Sequence, residues 1–74
     1  MQRRKRLIFW RIERRLKQKD IAEQLGITPA HYSNIERGIT DPSYELLTRF
    51  TRVFNDEENV IYLFEKGEDI EWGL

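Results

Sequence analysis

A glycine-centred turn between two short amphipathic segments is the feature that most constrains the fold of this chain. Gly26 can adopt the left-handed conformation that commonly follows a helix end, so the chain can reverse sharply there. Ala22, four residues earlier, is small enough for a second helix to cross at close range. The apolar residues around the turn fall on the inward faces of these two helices: Ile21, Leu25, Ile27, Tyr32 and Ile35. All of these positions satisfy one arrangement of two steeply crossing helices.

Other turn-forming residues divide the remainder into segments of helical length, and no segment between them has the strict alternation of a strand. The spacing predicts five helices, at about 4–15, 18–25, 28–37, 43–54 and 56–66, with Thr28 and Asp56 at N-terminal cap positions and Pro29 in a first turn. The fourth and fifth carry apolar stripes: Leu46, Leu47, Phe50, Val53 and Phe54, then Val60, Ile61, Leu63 and Phe64. We therefore expect an all-α domain over residues 1–66, followed by a segment at 67–74.

The size and composition of the chain exclude several classes of protein. Its 74 residues can bury one small core but cannot enclose a deep substrate pocket, and the chain has no cysteine for a disulfide or a zinc site. His31 has no second histidine beside it to complete a metal site, and a triad of Ser33, His31 and Asp20 would lack a pocket. We expect no enzyme, no catalytic residue, no cofactor and no small-molecule substrate. The apolar runs are too short to span a bilayer and the N-terminus has no signal-peptide pattern, so we expect a cytoplasmic protein without a membrane partner.

Charge is distributed unevenly although the net charge is zero. Residues 1–37 carry ten basic and four acidic side chains, a net of +6, and residues 38–74 carry three basic and nine acidic ones, a net of −6. This polarity is compatible with oppositely charged, solvated helices. It is equally compatible with a basic end that attracts phosphate while the acidic end is repelled from it.

The segment LKQKDIAEQLGITP at 16–29, followed by YSNIERG at 32–38, resembles the Cro/C1 (XRE) family of lambda-repressor-like DNA-binding domains. The resemblance continues through DPS at 41–43 and the Leu46-Leu47 helix, and it covers about residues 7–64. It implies a five-helix domain with a helix-turn-helix at helices two and three. It further implies a prokaryotic or phage-encoded transcriptional regulator, a repressor in this interpretation, that binds a duplex operator as a homodimer and is nucleoid-associated when bound.

The resemblance, together with the geometry of a helix in the major groove, assigns candidate roles to residues. The side chains that would reach base edges lie at the start of helix three: Thr28, Pro29, Ala30, His31, Ser33 and Asn34. Asn34 is the best candidate, because its amide can pair with two atoms of adenine. The phosphate contacts implied are Lys17, Gln18, Lys19 and Arg37. Arg11 and Glu36 match a structural ion pair between helices one and three.

Three features leave a rival interpretation open. The reading helix is poor in polar groups, the net charge is zero, and apolar residues at Ile8, Phe9 and Ile12 are not needed by the core. These features favour a protein-interaction module on a helix-turn-helix scaffold, in an antitoxin-like or phage adaptor role. Salt dependence of binding separates the two, because only phosphate contacts release counterions.

Two terminal segments also permit more than one interpretation. The basic run at 3–6 either is a solvated arm or touches DNA. The apolar residues Ile70, Trp72 and Leu74 at the other end either fold back over Ile8 and Ile12 or join helix five in a dimer interface.

Overall fold

The computed structural model describes residues 2–55 and 60–66, and this part of the chain contains five helices and no strand. They are α1 (Lys5–Glu13), α2 (Gln18–Leu25), α3 (Pro29–Glu36), α4 (Tyr44–Phe54) and α5 (Val60–Phe64). The prediction of an all-α, five-helix domain is therefore confirmed. Within the described ranges, no helix is long and apolar enough to cross a membrane. The proposed cap Asp56 and the segment 67–74 lie outside the described residues.

The helix-turn-helix forms through local signals that the sequence carries. Gly26 ends α2 in the left-handed conformation, with φ of 74°. The chain resumes at Thr28, whose side-chain oxygen accepts a hydrogen bond from the His31 amide at 3.1 Å, while Pro29 occupies the first helical position. Ser43 caps α4 in the same way, through the amide of Leu46. These caps fix where α3 and α4 begin.

Two helices are shorter than predicted at their C-terminal ends. α1 stops at Glu13 rather than near residue 15, because Arg15 takes a left-handed backbone with φ of 58° and cannot continue the helix. α5 likewise ends at Phe64 rather than near residue 66. α3 ends at Glu36, within one residue of the predicted end, and Gly38 follows with φ of 78°.

The core is formed where the inward faces of all five helices meet. Within the helix-turn-helix, the fully buried residues are Ile21, Ala22, Leu25, Tyr32 and Ile35. Ile27 packs against them and is partly buried. An aromatic cluster fills the centre, with ring centroids of 5.0 Å for Trp10 to Phe50, 4.8 Å for Phe50 to Phe54 and 5.0 Å for Phe50 to Phe64. The packing of α1, α4 and α5 around these rings holds the helix-turn-helix on a rigid base.

Two predicted members of the apolar stripes do not belong to the core. Val53 is 39% exposed and Ile61 is 70% exposed, whereas Phe50 and Phe64 on the same helices are buried. The helical period explains both cases, because an α-helix turns only one stripe towards its neighbours and the adjacent positions rotate into solvent.

Of the two alternatives for the basic run at 3–6, the solvated arm is wrong for Arg4, which is buried, whereas Arg3 is exposed. Arg4 is 3% exposed, and its guanidinium donates to the carbonyl oxygens of Ile35 at 2.6 Å, Thr40 at 3.0 Å and Phe64 at 2.6 Å. The guanidinium also pairs with Asp41 at 2.7 Å. Arg4 is buried because the carbonyls at the ends of α3 and α5 need donors that these helices cannot supply.

Candidate nucleic-acid interface

The candidate base-reading residues begin at the N-terminal end of α3 and continue to Asn34, the sixth of its eight residues. Thr28, Pro29, Ala30 and His31 are exposed, and Ser33 and Asn34 are half-buried. The opposite face of the same helix is anchored by Tyr32, Ile35 and Glu36, all of which are buried. A helix held firmly along one face and exposed at its N-terminal end has the form needed to enter a major groove.

Asn34 and Thr28 differ in the hydrogen-bonding groups that remain available to a base. The side-chain amide of Asn34 makes no hydrogen bond with the described part of the protein, so its NH2 donor and its oxygen acceptor are both available. The hydroxyl oxygen of Thr28 already accepts from the His31 backbone amide, which uses one of its two lone pairs and leaves less of the group available to a base. Asn34 is thus the better equipped reader by its chemistry.

The N-terminus of α2 combines exposed amides with basic side chains. The Asp20 carboxylate accepts from the Lys17 amide at 2.9 Å, which satisfies one first-turn donor. The amides of Gln18 and Lys19 have no acceptor among the described residues, and the side chains of Lys17 and Lys19 are exposed. Free amides at a positive helix end, beside two ammonium groups, favour an anion such as a phosphate.

Gln18 is tied into the protein interior. Its side-chain nitrogen donates to the Glu36 carboxylate at 2.9 Å, and Glu36 is only 2% exposed. A phosphate contact by Gln18 would therefore use its backbone amide or the second N–H of its side-chain nitrogen. Arg37, the remaining candidate for a phosphate contact, is exposed at the C-terminal cap of α3.

The structure brings Arg11 and Glu36 together as a partly buried ion pair between α1 and α3. Arg11 Nε lies 2.6 Å from Glu36 Oε2, and a second guanidinium nitrogen donates to Oε1 at 3.3 Å. The hydrogen bond to Glu36 raises the pKa of Arg11 above its usual value, so the guanidinium stays charged. Burial, with the negative charge of Glu36 beside it, raises the pKa of the neighbouring Tyr32. This network orients α3 relative to α1 and α2.

Two arginines that the sequence analysis did not identify stabilise the C-terminal ends of α2 and α3. Arg4 caps the C-terminal end of α3, and Arg49 donates to the Leu25 carbonyl at 2.6 Å, at the end of α2. Cations are stabilising at helix C-termini because the carbonyls there carry negative partial charge. No sequence signal identified Arg4, which looks like any member of a basic run. Arg49 stood out only as one of three cations in an acidic half.

No group of His, Asp or Glu side chains in the described ranges could hold a metal ion. The candidate site is therefore made of amides, hydroxyls and ammonium or guanidinium groups, which bind by hydrogen bonding and charge. This is the chemistry of nucleic-acid contact: polar edges for bases and positive groups for phosphates.

Comparison with known proteins agrees with the geometry. The model of the helix-turn-helix family matches residues 7–57, about two thirds of the chain. An uncharacterized HTH-type transcriptional regulator from Methanocaldococcus jannaschii is 30% identical over 63 residues, which cover 85% of this chain and 96% of that relative. No solved structure matches significantly. The chain belongs to the Cro/C1-type (XRE) family of DNA-binding helix-turn-helix proteins.

Proposed function

We propose that this protein is a transcriptional repressor that binds a duplex operator as a homodimer and inserts α3 into the major groove. The observation that carries the proposal is the exposure of the N-terminal end of α3, together with the side-chain amide of Asn34 farther along the helix, which makes no hydrogen bond with the described residues. Glu36 and Arg11 hold this helix on a rigid base. The family relation supports DNA as the ligand. Repression is the simplest output, because a protein bound to an operator excludes other proteins from the same DNA.

Phosphate contacts in this proposal come from both helices of the motif. Lys17, Lys19 and the free α2 amides would hold one strand, and Arg37 would approach the backbone from the end of α3. Such contacts fix register without specifying sequence. Base discrimination would then come mainly from Asn34, with DNA shape adding to it because few other polar groups lie on the reading surface.

Selection from a random duplex library, followed by titration of the best site at several salt concentrations, tests the proposal. Asn34→Ala should relax the selected sequence at one base pair and lower affinity for the best site by about 1–3 kcal/mol. Lys19→Ala should weaken all sequences alike and reduce the slope of log affinity against log salt by about 1. Arg52→Ala removes an exposed cation from α4, outside the motif, and should change neither quantity.

The selection also separates the proposal from its rival. A two-fold-symmetric site with half-sites about one helical turn apart would support a dimeric regulator. Failure to enrich any sequence, with weak binding that disappears at physiological salt, would contradict it.

That outcome would favour a protein-interaction module, for which the exposed apolar side chains of Tyr44 (85% exposed) and Ile61 are the supporting observation. In that case binding of the protein partner would depend little on salt, because apolar contacts release few counterions.

A further inference from the structure

The outward side of α1 carries a mixed basic and apolar surface that the core does not use. Lys5, Ile8, Phe9 and Ile12 follow one another at helical spacings of three and four residues, so they share one side of the helix. We call this the α1 outer face. Phe9 is 45% exposed and Ile12 is 54% exposed. Lys5, Ile8 and Phe9, with Arg3, line a shallow cleft of about 340 Å³.

The chain leaves α5 directly beside this face. Arg4 Nε donates to the carbonyl oxygen of Phe64, the last residue of α5, at 2.6 Å. Arg6 lies over the Tyr62 ring, 4.2 Å from its centroid, and reaches Glu65 at 3.4 Å. The described chain therefore ends, at Lys66, next to the N-terminal end of α1.

The sequence of residues 67–74 complements the α1 outer face. Ile70, Trp72 and Leu74 alternate with other residues and would share one side of an extended chain. The carboxylate of Glu68 falls on the same side and matches the positive charges of Arg3 and Lys5. Eight extended residues reach about 26 Å, whereas the nine residues of α1 span about 14 Å, so the segment is long enough.

We infer that residues 68–74 bind along the α1 outer face of their own chain, with their apolar side chains on Ile8, Phe9 and Ile12 and the Glu68 carboxylate near Arg3 and Lys5. A second apolar surface exists between α4 and α5, lined in part by Tyr44, Leu47, Val60 and Ile61. It fits less well, because its α5 residues lie at the start of that helix and the chain departs from the other end.

A spin label provides a direct test, because the chain has no cysteine of its own. Gly73→Cys gives one attachment site and leaves Ile70, Trp72 and Leu74 unchanged. In the labelled full chain, the amide NMR signals of Ile8, Phe9 and Ile12 should lose intensity, while that of Thr51, beside the α4–α5 surface, should keep it. The matched control adds Ile70→Ser and Trp72→Ser to the same labelled chain, and there the α1 signals should recover.

Three outcomes would overturn the inference. Loss of signal at Thr51 instead of α1 would place the segment on the α4–α5 surface, and uniform retention of signals would show that it binds neither. The third outcome comes from a mixed sample, in which one chain carries the isotope without the nitroxide and the other carries the nitroxide without the isotope. Loss of the α1 signals in that sample would show that the segment reaches a second copy. None of these outcomes bears on DNA binding, which the library selection tests separately.

Discussion

At the scale of single residues, the buried Glu36 carboxylate determines much of the arrangement behind the candidate interface. It accepts hydrogen bonds from Arg11 on α1 and Gln18 on α2 while belonging to α3, so three helices depend on one charge. A buried charge is tolerated only when it is paired and its oxygens have donors. The ion pair therefore limits how the helix-turn-helix can tilt against α1.

Arg11→Ala should destabilise the protein by about 3–5 kcal/mol, because it leaves the Glu36 charge buried without its cation. The measurement is urea denaturation followed by circular dichroism. Arg14→Ala is the matched control. Arg14 is exposed, and its guanidinium lies over the Trp10 ring. Its removal should lower the free energy of unfolding by at most about 1 kcal/mol. Equal effects of the two substitutions would contradict the assigned role. A loss of DNA binding in Arg11→Ala is expected to follow the loss of folded protein.

Asp41 gives a pH-dependent contribution of predictable sign. Its hydrogen bond to Arg4, with Lys66 at 3.4 Å, holds the pKa of this exposed carboxyl below its usual value. A depressed folded-state pKa stabilises the fold above the unfolded value, about 3.9, and this contribution is lost as pH falls through the folded-state pKa.

Asp41→Asn should therefore be less stable than the natural protein at pH 7, and the difference should vanish in strong acid. Denaturation curves collected between pH 2 and pH 7, about the range over which a carboxyl group titrates, provide the measurement. Glu13→Gln removes a carboxylate without an ion pair in the described residues, and its difference from the natural protein should not change in this way. A constant difference for Asp41→Asn at all pH values would exclude the ion-pair explanation.

At the scale of elements, the ends of helices are joined by side chains from distant parts of the chain. Arg4 binds the carbonyls that end α3 and α5, and its own backbone amide donates to the Glu36 carbonyl at 2.8 Å. The N-terminal residues can lie this close to the end of α3 because residue 38 is a glycine: a Cβ there would collide with the Gln2 carbonyl. The N-terminal residues thus act as a clamp between the candidate reading helix and the last helix described.

Arg4→Met keeps the length of the side chain but removes the donors that the carbonyls of Ile35, Thr40 and Phe64 use. We expect a loss of at least about 2 kcal/mol in the free energy of unfolding, since each unpartnered buried polar group costs about 1–3 kcal/mol. Arg3→Met, at the exposed neighbouring position, should change stability by less than about 1 kcal/mol. Hydrogen exchange should show the largest acceleration at the end of α3, and unchanged exchange there would refute the clamp.

At the scale of the whole molecule, the charge is divided unevenly between the two halves of the sequence. The basic half contains the α2 N-terminus and α3, and the acidic half contains α4 and α5. In the proposed function, the basic side chains of the motif would attract the DNA polyanion even though the net charge is zero. This resolves the conflict between a neutral composition and the proposed DNA ligand.

If the protein binds DNA as a dimer, affinity for a full two-fold site should exceed that for an isolated half-site, and sedimentation should show two chains on the full site. Placing five extra base pairs, about half a helical turn, between the half-sites should reduce affinity to that of a half-site, because the two reading helices would then face opposite sides of the duplex. An unchanged affinity would indicate that single chains bind independently.

The fold and the motif could be predicted from sequence because their signals are local. Thr28 and Pro29 start α3 through their own backbone chemistry, Gly26 ends α2 by its freedom of conformation, and the apolar period selects the buried face of each helix. The end of α1 was less predictable, since the left-handed backbone at Arg15 belongs to a residue that rarely adopts it.

The sequence by itself thus determined the helices, the turn between α2 and α3, and the end of α3 that faces outward. Only the tertiary structure decided which charges are structural. Arg3 and Arg4 are the same residue type side by side, yet one is exposed and the other is buried against the ends of two helices. The difference arises because the carbonyls that accept hydrogen bonds from Arg4 belong to residues 31 to 60 positions away. The residues next to Arg4 in the sequence do not indicate contacts over such separations.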